Sequence, residues 1–271
     1  MRHGKRLDTE KPRWHLTASH PWDSPLSEQG QADLIAVATH VSALQLHNVV
    51  LIASPFTRCL QTSAQVLSHL PAGTAATAHV CRSISEVFSA HLLHRTAHHS
   101  DVKLMAGLRL WWWQVRRMRQ AKALLKAIAA SIAPGNTPRP GPASSPRSES
   151  VRVGELTAYP WPQFPESEEE ASARYIRTVT ALAAQFKGRD MLVVTHGNCV
   201  KAWAERCVPG AHVGSVKPGG LLVLQPGPGD TLQLHESLAM TGVELRQDKH
   251  ACSVVTAKPP ETAAAQAAEN V

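Results

Sequence analysis

No apolar run in this 271-residue sequence approaches the ~20 residues needed to span a bilayer; the longest, such as Val49 to Ala53 and Met191 to Val194, are four or five residues long. That argues against membrane-spanning helices. No apolar stretch follows the basic opening Met1-Arg2-His3-Gly4-Lys5-Arg6, so it does not read as a secretory signal, and a cytoplasmic location is expected. Cysteine is scarce and odd in number: Cys59, Cys81, Cys199, Cys207 and Cys252 contain no CxxC pair, which argues against a disulfide framework and against a cysteine-based zinc site. The thiols are expected to be reduced. There is no internal repeat.

What is present is enough apolar material, 43% of residues, to bury one large core. Twenty-eight Lys and Arg against 21 Asp and Glu leave a formal charge of +7, which favours anionic ligands without bearing on the fold. Residues 134–150 hold Pro, Gly and Ser and no large apolar side chain, so a disordered loop is expected there, and likewise a disordered tail over 256–271.

Between these segments, short β-branched runs alternate with helical periodicity. Val49 to Ala53, Ala78 to Arg82, Met191 to Thr195 and Leu221 to Leu224 read as strands. Ser27 caps a helix over Glu28 to Leu46, with Leu34, Ile35, Ala38, Val41 and Leu44 on one stripe. Ser54 with Pro55 reads as a cap and first position of a helix carrying Leu60, Ala64 and Leu67 inward. Ser167 to Glu170 is a capping box for a helix reaching about Lys187. This alternation predicts an α/β/α sandwich around a mainly parallel sheet.

The same placement sets polar groups at the start of the chain and after three strands: Arg2 and His3 at the start, Arg58 one turn into the helix after Val49 to Ala53, Glu86 after Ala78 to Arg82, and His196 after Met191 to Thr195. Ligands of open α/β sheets sit beyond the carboxyl ends of the strands. Two arginines, two histidines and a carboxylate are therefore expected around one pocket. The planar guanidinium fork matches phosphate oxygens, which makes a phosphate the expected ligand.

Arg2-His3-Gly4, Pro25-Leu26-Ser27 with Gly30, Ser54-Pro55 with Arg58, Gln61 and Thr62, Glu86, Pro165-Glu166-Ser167 and Thr195-His196-Gly197 together resemble the histidine phosphatase (phosphoglycerate mutase-like) superfamily. RHGKRLD and SPFTRCLQTS look nearest to its UBA/SH3-containing tyrosine phosphatase-like branch. The resemblance covers roughly residues 1–90 and 160–225. It implies a phosphoglycerate mutase-like fold, a single domain over 1–255 with a helical insertion at about 87–165, and a metal-independent phosphatase without cofactor. It also implies that His3 forms a phosphohistidine, that Arg2, Arg58 and His196 hold phosphate oxygens, and that Glu86 serves as acid and base. Glu155 and Glu166 compete with Glu86 for that last role.

Two departures matter. Only Met1 precedes Arg2, where the family has a central apolar strand, so that strand is expected to be missing, either because the gene model starts late or because the protein is impaired. Lys5 stands where the family's RHGER form has glutamate, which makes the rim more basic. A mutase-type phosphotransferase and a catalytically impaired phospholigand-binding or scaffold protein are the alternatives. The expected partner is a phosphorylated small molecule or phosphoprotein, and no nucleic acid is expected. His91, His94, His98 and His99 could suggest a metal site but read rather as a polar helix face. The stretch 101–131 carries Lys103, Arg109, Arg116, Arg117, Arg119, Lys122 and Lys126 against only Asp101, beside Trp111 to Trp113. It is open to three readings: a surface for an acidic partner or membrane, a core-packed helix with solvated charges, or a cap over the pocket.

Overall fold

Val49–Ala53 forms β1, and all five of its residues are buried, as expected of a strand covered on both faces. The computed structural model of the chain describes residues 1–71, 74–89, 102–132, 152–237 and 240–247. Around β1 lie β2 (Ala76–Val80), β3 (Arg152–Glu155) and β4 (Met191–Val194), in the order β3-β2-β1-β4 with every pair parallel. The five helices of more than one turn among the described residues are α2 (Glu28–Ala43), α3 (Thr57–Leu67), α4 (Val102–Ile132), α5 (Glu168–Gln185) and α6 (Gly197–Cys207); a one-turn α1 spans Leu7–Glu10.

The sheet has a helical layer on each side, and the alternation of β1 separates the two cores. Val49, Leu51 and Ala53 join Leu34, Val41, Leu60, Trp113 and Leu125, whereas Val50 and Ile52 join Tyr175, Leu182 and Trp203. This is the α/β/α sandwich with a parallel sheet anticipated above. Beyond it, β5 (Ala211–Leu222) pairs antiparallel with β8 (Met240–Gln247), and β6 (Leu224–Pro226) with β7 (Leu232–Leu234).

Several expectations need correction. Leu221 to Leu224 is not a further parallel strand: Leu221 and Leu222 end β5, and Leu224 begins β6. The second strand lies two residues earlier than expected, and Arg82 falls in a short 3-10 turn that leads to Glu86. Ile35 is exposed, since Leu34, Ala38 and Val41 already fill the inward stripe of α2. Helix α3 begins at Thr57 rather than Pro55, and Ser54 stands in the extended link that precedes it. The capping box at Ser167 is present, with both reciprocal hydrogen bonds made.

Where the first strand was expected to be missing, Met1 to His3 forms a short parallel rung beside the end of β4. The Thr195 amide donates to the Met1 carbonyl at 2.9 Å and the His3 amide to the Thr195 carbonyl at 3.0 Å. On its other side the Arg2 amide donates to the Gly220 carbonyl at 2.8 Å.

Helix α4 buries Trp113, Met118, Ala121 and Leu125, a stripe at spacings of three to five residues, against the α2–α3 face of the sheet. Its Lys122 pairs with Glu155, while Arg116 and Arg119 stay exposed. The expected loop 134–150, the four clustered histidines and the tail 256–271 lie outside the described residues. No helix among the described residues is long and apolar enough to cross a membrane.

Candidate phosphate-binding site

Because the four strands run parallel, the segments leaving their carboxyl ends emerge on one edge. His3 ends the rung beside β4, Arg58 is the second residue of α3, Glu86 follows the turn after β2, and His196 precedes α6 directly. All four side chains meet. The imidazole centroids of His3 and His196 are 5.4 Å apart, and Arg58 and His196 are fully buried.

Arg58 is the hub. Its Nε donates to His3 Nε2 at 3.1 Å, its Nη1 to the Trp22 carbonyl at 3.3 Å and its Nη2 to Glu86 Oε2 at 3.2 Å. His3 Nδ1 donates to the Gly4 carbonyl at 2.7 Å, which places the ring proton there and leaves Nε2 with a lone pair directed at the arginine. His196 Nδ1 lies 3.1 Å from Glu86 Oε2 and 3.2 Å from Arg58 Nη2, with Ser54 Oγ 2.8 Å from its Nε2. With the His196 proton on Nδ1, facing the carboxylate, Nε2 accepts from the Ser54 hydroxyl.

The segments around the site are tied down. Gly4 donates its amide to Thr62 Oγ1, whose hydroxyl in turn donates to the Arg58 carbonyl. A Cβ on Gly30 would stand 2.2 Å from the Lys5 carbonyl oxygen, so only glycine lets α2 approach the strand that carries His3. Arg2 donates to the Val216 carbonyl, and its buried Nε has no hydrogen-bond partner among the described residues.

These contacts shape the charges. Burial, reinforced by the Arg58 and His196 charges, holds His3 well below the ordinary imidazole range. Burial also lowers His196 to about 4, against the pull of Glu86. Burial would raise the Glu86 carboxyl, yet His196, Arg58 and His3 together keep it well below the usual carboxylate range. At neutral pH the site therefore contains two neutral imidazoles, a cationic guanidinium and a carboxylate.

His3, Glu86 and His196 could superficially suit a metal, since their ligand atoms lie within 4.8 Å of one another. Arg58 donates into that same space, however, and a fixed guanidinium repels a cation. The arrangement suits an anion. The rival carboxylates are engaged elsewhere: Glu155 pairs with Arg82 and Lys122, and buried Glu166 makes two bonds to Arg174, at 2.6 and 2.7 Å. Burial pushes the Cys59 thiol, behind His196, up to about 12, so it is no nucleophile.

Sequence reasoning missed three contributors. Asp23 accepts from the Thr57 amide and hydroxyl at 2.7 and 2.8 Å, and Arg117 lies buried against the same residues. The Arg58 guanidinium also lies over Phe56, 4.4 Å from its ring centre. None has a local pattern that marks it. Ser54 was read as a helix cap, and its hydroxyl binds His196 instead.

Residues 1–87, about a third of the chain, match the model of the histidine phosphatase superfamily (branch 1). No curated protein matches the chain. Among solved structures, YhfR of Bacillus stearothermophilus is similar at 17% identity and TM-score 0.48, over 86% of this chain and 92% of that one. A mycobacterial glucosyl-3-phosphoglycerate phosphatase is similar at 16% identity and TM-score 0.47, over 93% and 97%. The alpha-ribazole phosphatase of Shigella flexneri gives 16% and 0.46, over 87% and 92%.

Proposed function

We propose that this chain, whose residues 1–87 carry the histidine phosphatase superfamily match, is a phosphatase of that kind, hydrolysing phosphomonoesters through a phosphohistidine on His3. The observation that carries the reading is the Arg58 fork, which reaches Nε2 of one imidazole, Nδ1 of another and a carboxylate from a single buried position. Phosphoryl transfer needs positioning and charge stabilisation above all, and these are what the site supplies.

His3 Nε2 attacks phosphorus while Arg58, Arg2 and His196 hold the oxygens that carry the developing charge. The bond from phosphorus to the ester oxygen breaks, and that oxygen leaves with a proton from Glu86. A water then attacks the phosphohistidine, returning its proton to the Glu86 carboxylate and releasing phosphate with His3 restored. The neutral state of His3 at pH 7 follows from its burial beside Arg58 and keeps the nucleophile available.

Glu86 needs two changes for this role. An attack distance of about 3 Å, the phosphorus–oxygen bond and a proton-transfer reach of about 3 Å together ask for more than about 6 Å between His3 Nε2 and the carboxylate. In the free site, one ligand atom each of His3, Glu86 and His196 lie within 4.8 Å of one another. The carboxylate thus sits where the phosphate would go, and an entering phosphate displaces it and takes over Arg58 and His196. Losing those partners raises the Glu86 affinity for a proton, converting a carboxylate into an acid only when substrate is present.

The closer kinship with the UBA/SH3-containing branch rests on RHGKRLD and SPFTRCLQTS alone, and phosphoproteins and phosphorylated small molecules both remain within the substrate class. Release of inorganic phosphate from an aryl phosphate in excess EDTA, abolished by His3→Ala, is the expected result. Wild-type protein that releases none contradicts the reading.

A further inference from the structure

The insertion helix α4 reaches the back of the site through one residue. Arg117 donates from Nε to the Pro55 carbonyl at 2.5 Å and from Nη2 to Thr57 Oγ1 at 2.8 Å, and its Nε lies 3.5 Å from Asp23 Oδ2. Asp23 accepts the Thr57 amide on Oδ1 and the Thr57 hydroxyl on Oδ2. Its Oδ1 also stands 4.0 Å from Arg58 Nη1, which donates to the neighbouring Trp22 carbonyl. The four side chains form one closed arrangement, and Arg117, Asp23 and Arg58 within it are buried.

The arrangement answers a local deficit. Phe56, at the cap position of α3, offers no side-chain acceptor, so the first turn of the helix that bears Arg58 has orphan amides. Asp23 supplies the acceptor from a distant loop, and Arg117 satisfies the Pro55 carbonyl just before the helix. A carboxylate midway between two buried guanidiniums also offsets the repulsion between them. Trp113, one turn before Arg117, packs on Phe56 with ring centres 4.9 Å apart, and Phe56 lies 5.0 Å from His196.

We infer that Arg117 and Asp23 are positioning residues for Arg58, so that the basic insertion helix is a structural part of the phosphate site rather than only a surface or a cap. The inference rests on the proposed phosphate site but not on turnover. Arg117 and Asp23 set where α3 begins, the start of α3 aims the guanidinium, and its aim decides whether one fork can meet His3, Glu86 and His196 together. Misplacement by about 1 Å is enough to cost on the order of 10²-fold in such sites.

The experiment measures binding of inorganic phosphate and of vanadate to the full chain by calorimetry, alongside kcat, KM and thermal melting. The proteins are wild type, Arg117→Gln, Asp23→Asn and the exposed control Arg119→Gln. Arg117→Gln and Asp23→Asn are expected to lose roughly 10- to 100-fold in affinity and in kcat/KM, while Arg119→Gln matches wild type. The acid limb of kcat/KM, set by His3, is expected to move to higher pH as Arg58 turns away, which a merely structural role would not produce. Should Arg117→Gln fail to fold, Arg117→Lys keeps the buried charge without the fork and is expected to lose at least about 10-fold. Variants that melt earlier yet bind phosphate as wild type does overturn the inference alone. Wild-type protein that binds neither anion overturns the phosphate site itself, and this inference with it.

Discussion

Arg58 Nε donates to His3 Nε2 across 3.1 Å, so the group proposed to stabilise the transferred phosphate also fixes the tautomer of the group proposed to attack it. A lysine cannot do both, because a single ammonium has no fixed fork. Arg58→Lys is expected to lower kcat/KM by at least ~10²-fold, comparable with loss of one transition-state donor. Steady-state kinetics on an aryl phosphate check this; a loss under tenfold contradicts it.

The pairing of Glu86 with Arg58 and His196 makes its role testable through the leaving group. A strongly acidic phenol departs without help, whereas an alkyl alcohol needs a proton. Glu86→Gln is expected to cost about 10²-fold or more on alkyl phosphates and much less on a nitrophenyl phosphate. Glu166→Gln, which breaks a buried ion pair with Arg174, is expected to lower stability and leave the leaving-group dependence as it is. Equal losses on both substrates for Glu86→Gln would remove it as the acid.

How far the sequence disclosed all this depends on whether a residue's partner is local. Arg58, Glu86 and His196 each follow a strand, and parallel strands deliver such residues to a common edge, so their convergence was readable, while His3 reaches that edge on the rung beside β4. Ser54 looked like a helix cap by composition, yet a tertiary partner, His196, outcompeted the local one. Asp23 and Arg117 were opaque because their contacts cross 34 and 62 residues to Thr57 and Pro55. Leu221 and Leu224 have strand composition, but Gly219 and Gly220 just before them belong to a bulged antiparallel pairing that apolar runs do not encode.

The close passage of α2 behind His3 gives a prediction about backbone fit. In Gly30→Ala the new methyl would fall 2.2 Å from the Lys5 carbonyl oxygen and 2.9 Å from its amide nitrogen, both main-chain atoms. The segment carrying His3 and Gly4 must then move, so stability is expected to drop by roughly 1–3 kcal/mol, with a fall in kcat. Chemical denaturation and kinetics test it. A variant as stable and active as wild type would show that the approach is not tight.

The two depressed imidazoles set a pH window for stability. Below the ordinary value of 6.5, the unfolded chain takes up protons that buried His3 and His196 refuse, so stability is complete above about 6.5 and declines as pH falls towards the His196 value of about 4. Glu86 acts in the same direction at lower pH, since a depressed carboxyl contributes stability that is lost below about 4.5. The His196 shift from 6.5 to about 4 amounts to roughly 3 kcal/mol over that window. Melting temperature is expected to fall between pH 6.5 and 4, less steeply in His196→Gln; a flat profile contradicts the burial of these rings.

The most direct test is to quench the wild-type protein during turnover of an aryl phosphate, digest it at high pH, and locate phosphate by mass spectrometry. Phosphate lost in mild acid, carried by the peptide containing His3 and missing in His3→Ala, is the expected result. Phosphate found on another residue, or turnover with no phosphorylated peptide even in a Glu86→Gln background that slows release, would contradict His3 as the nucleophile.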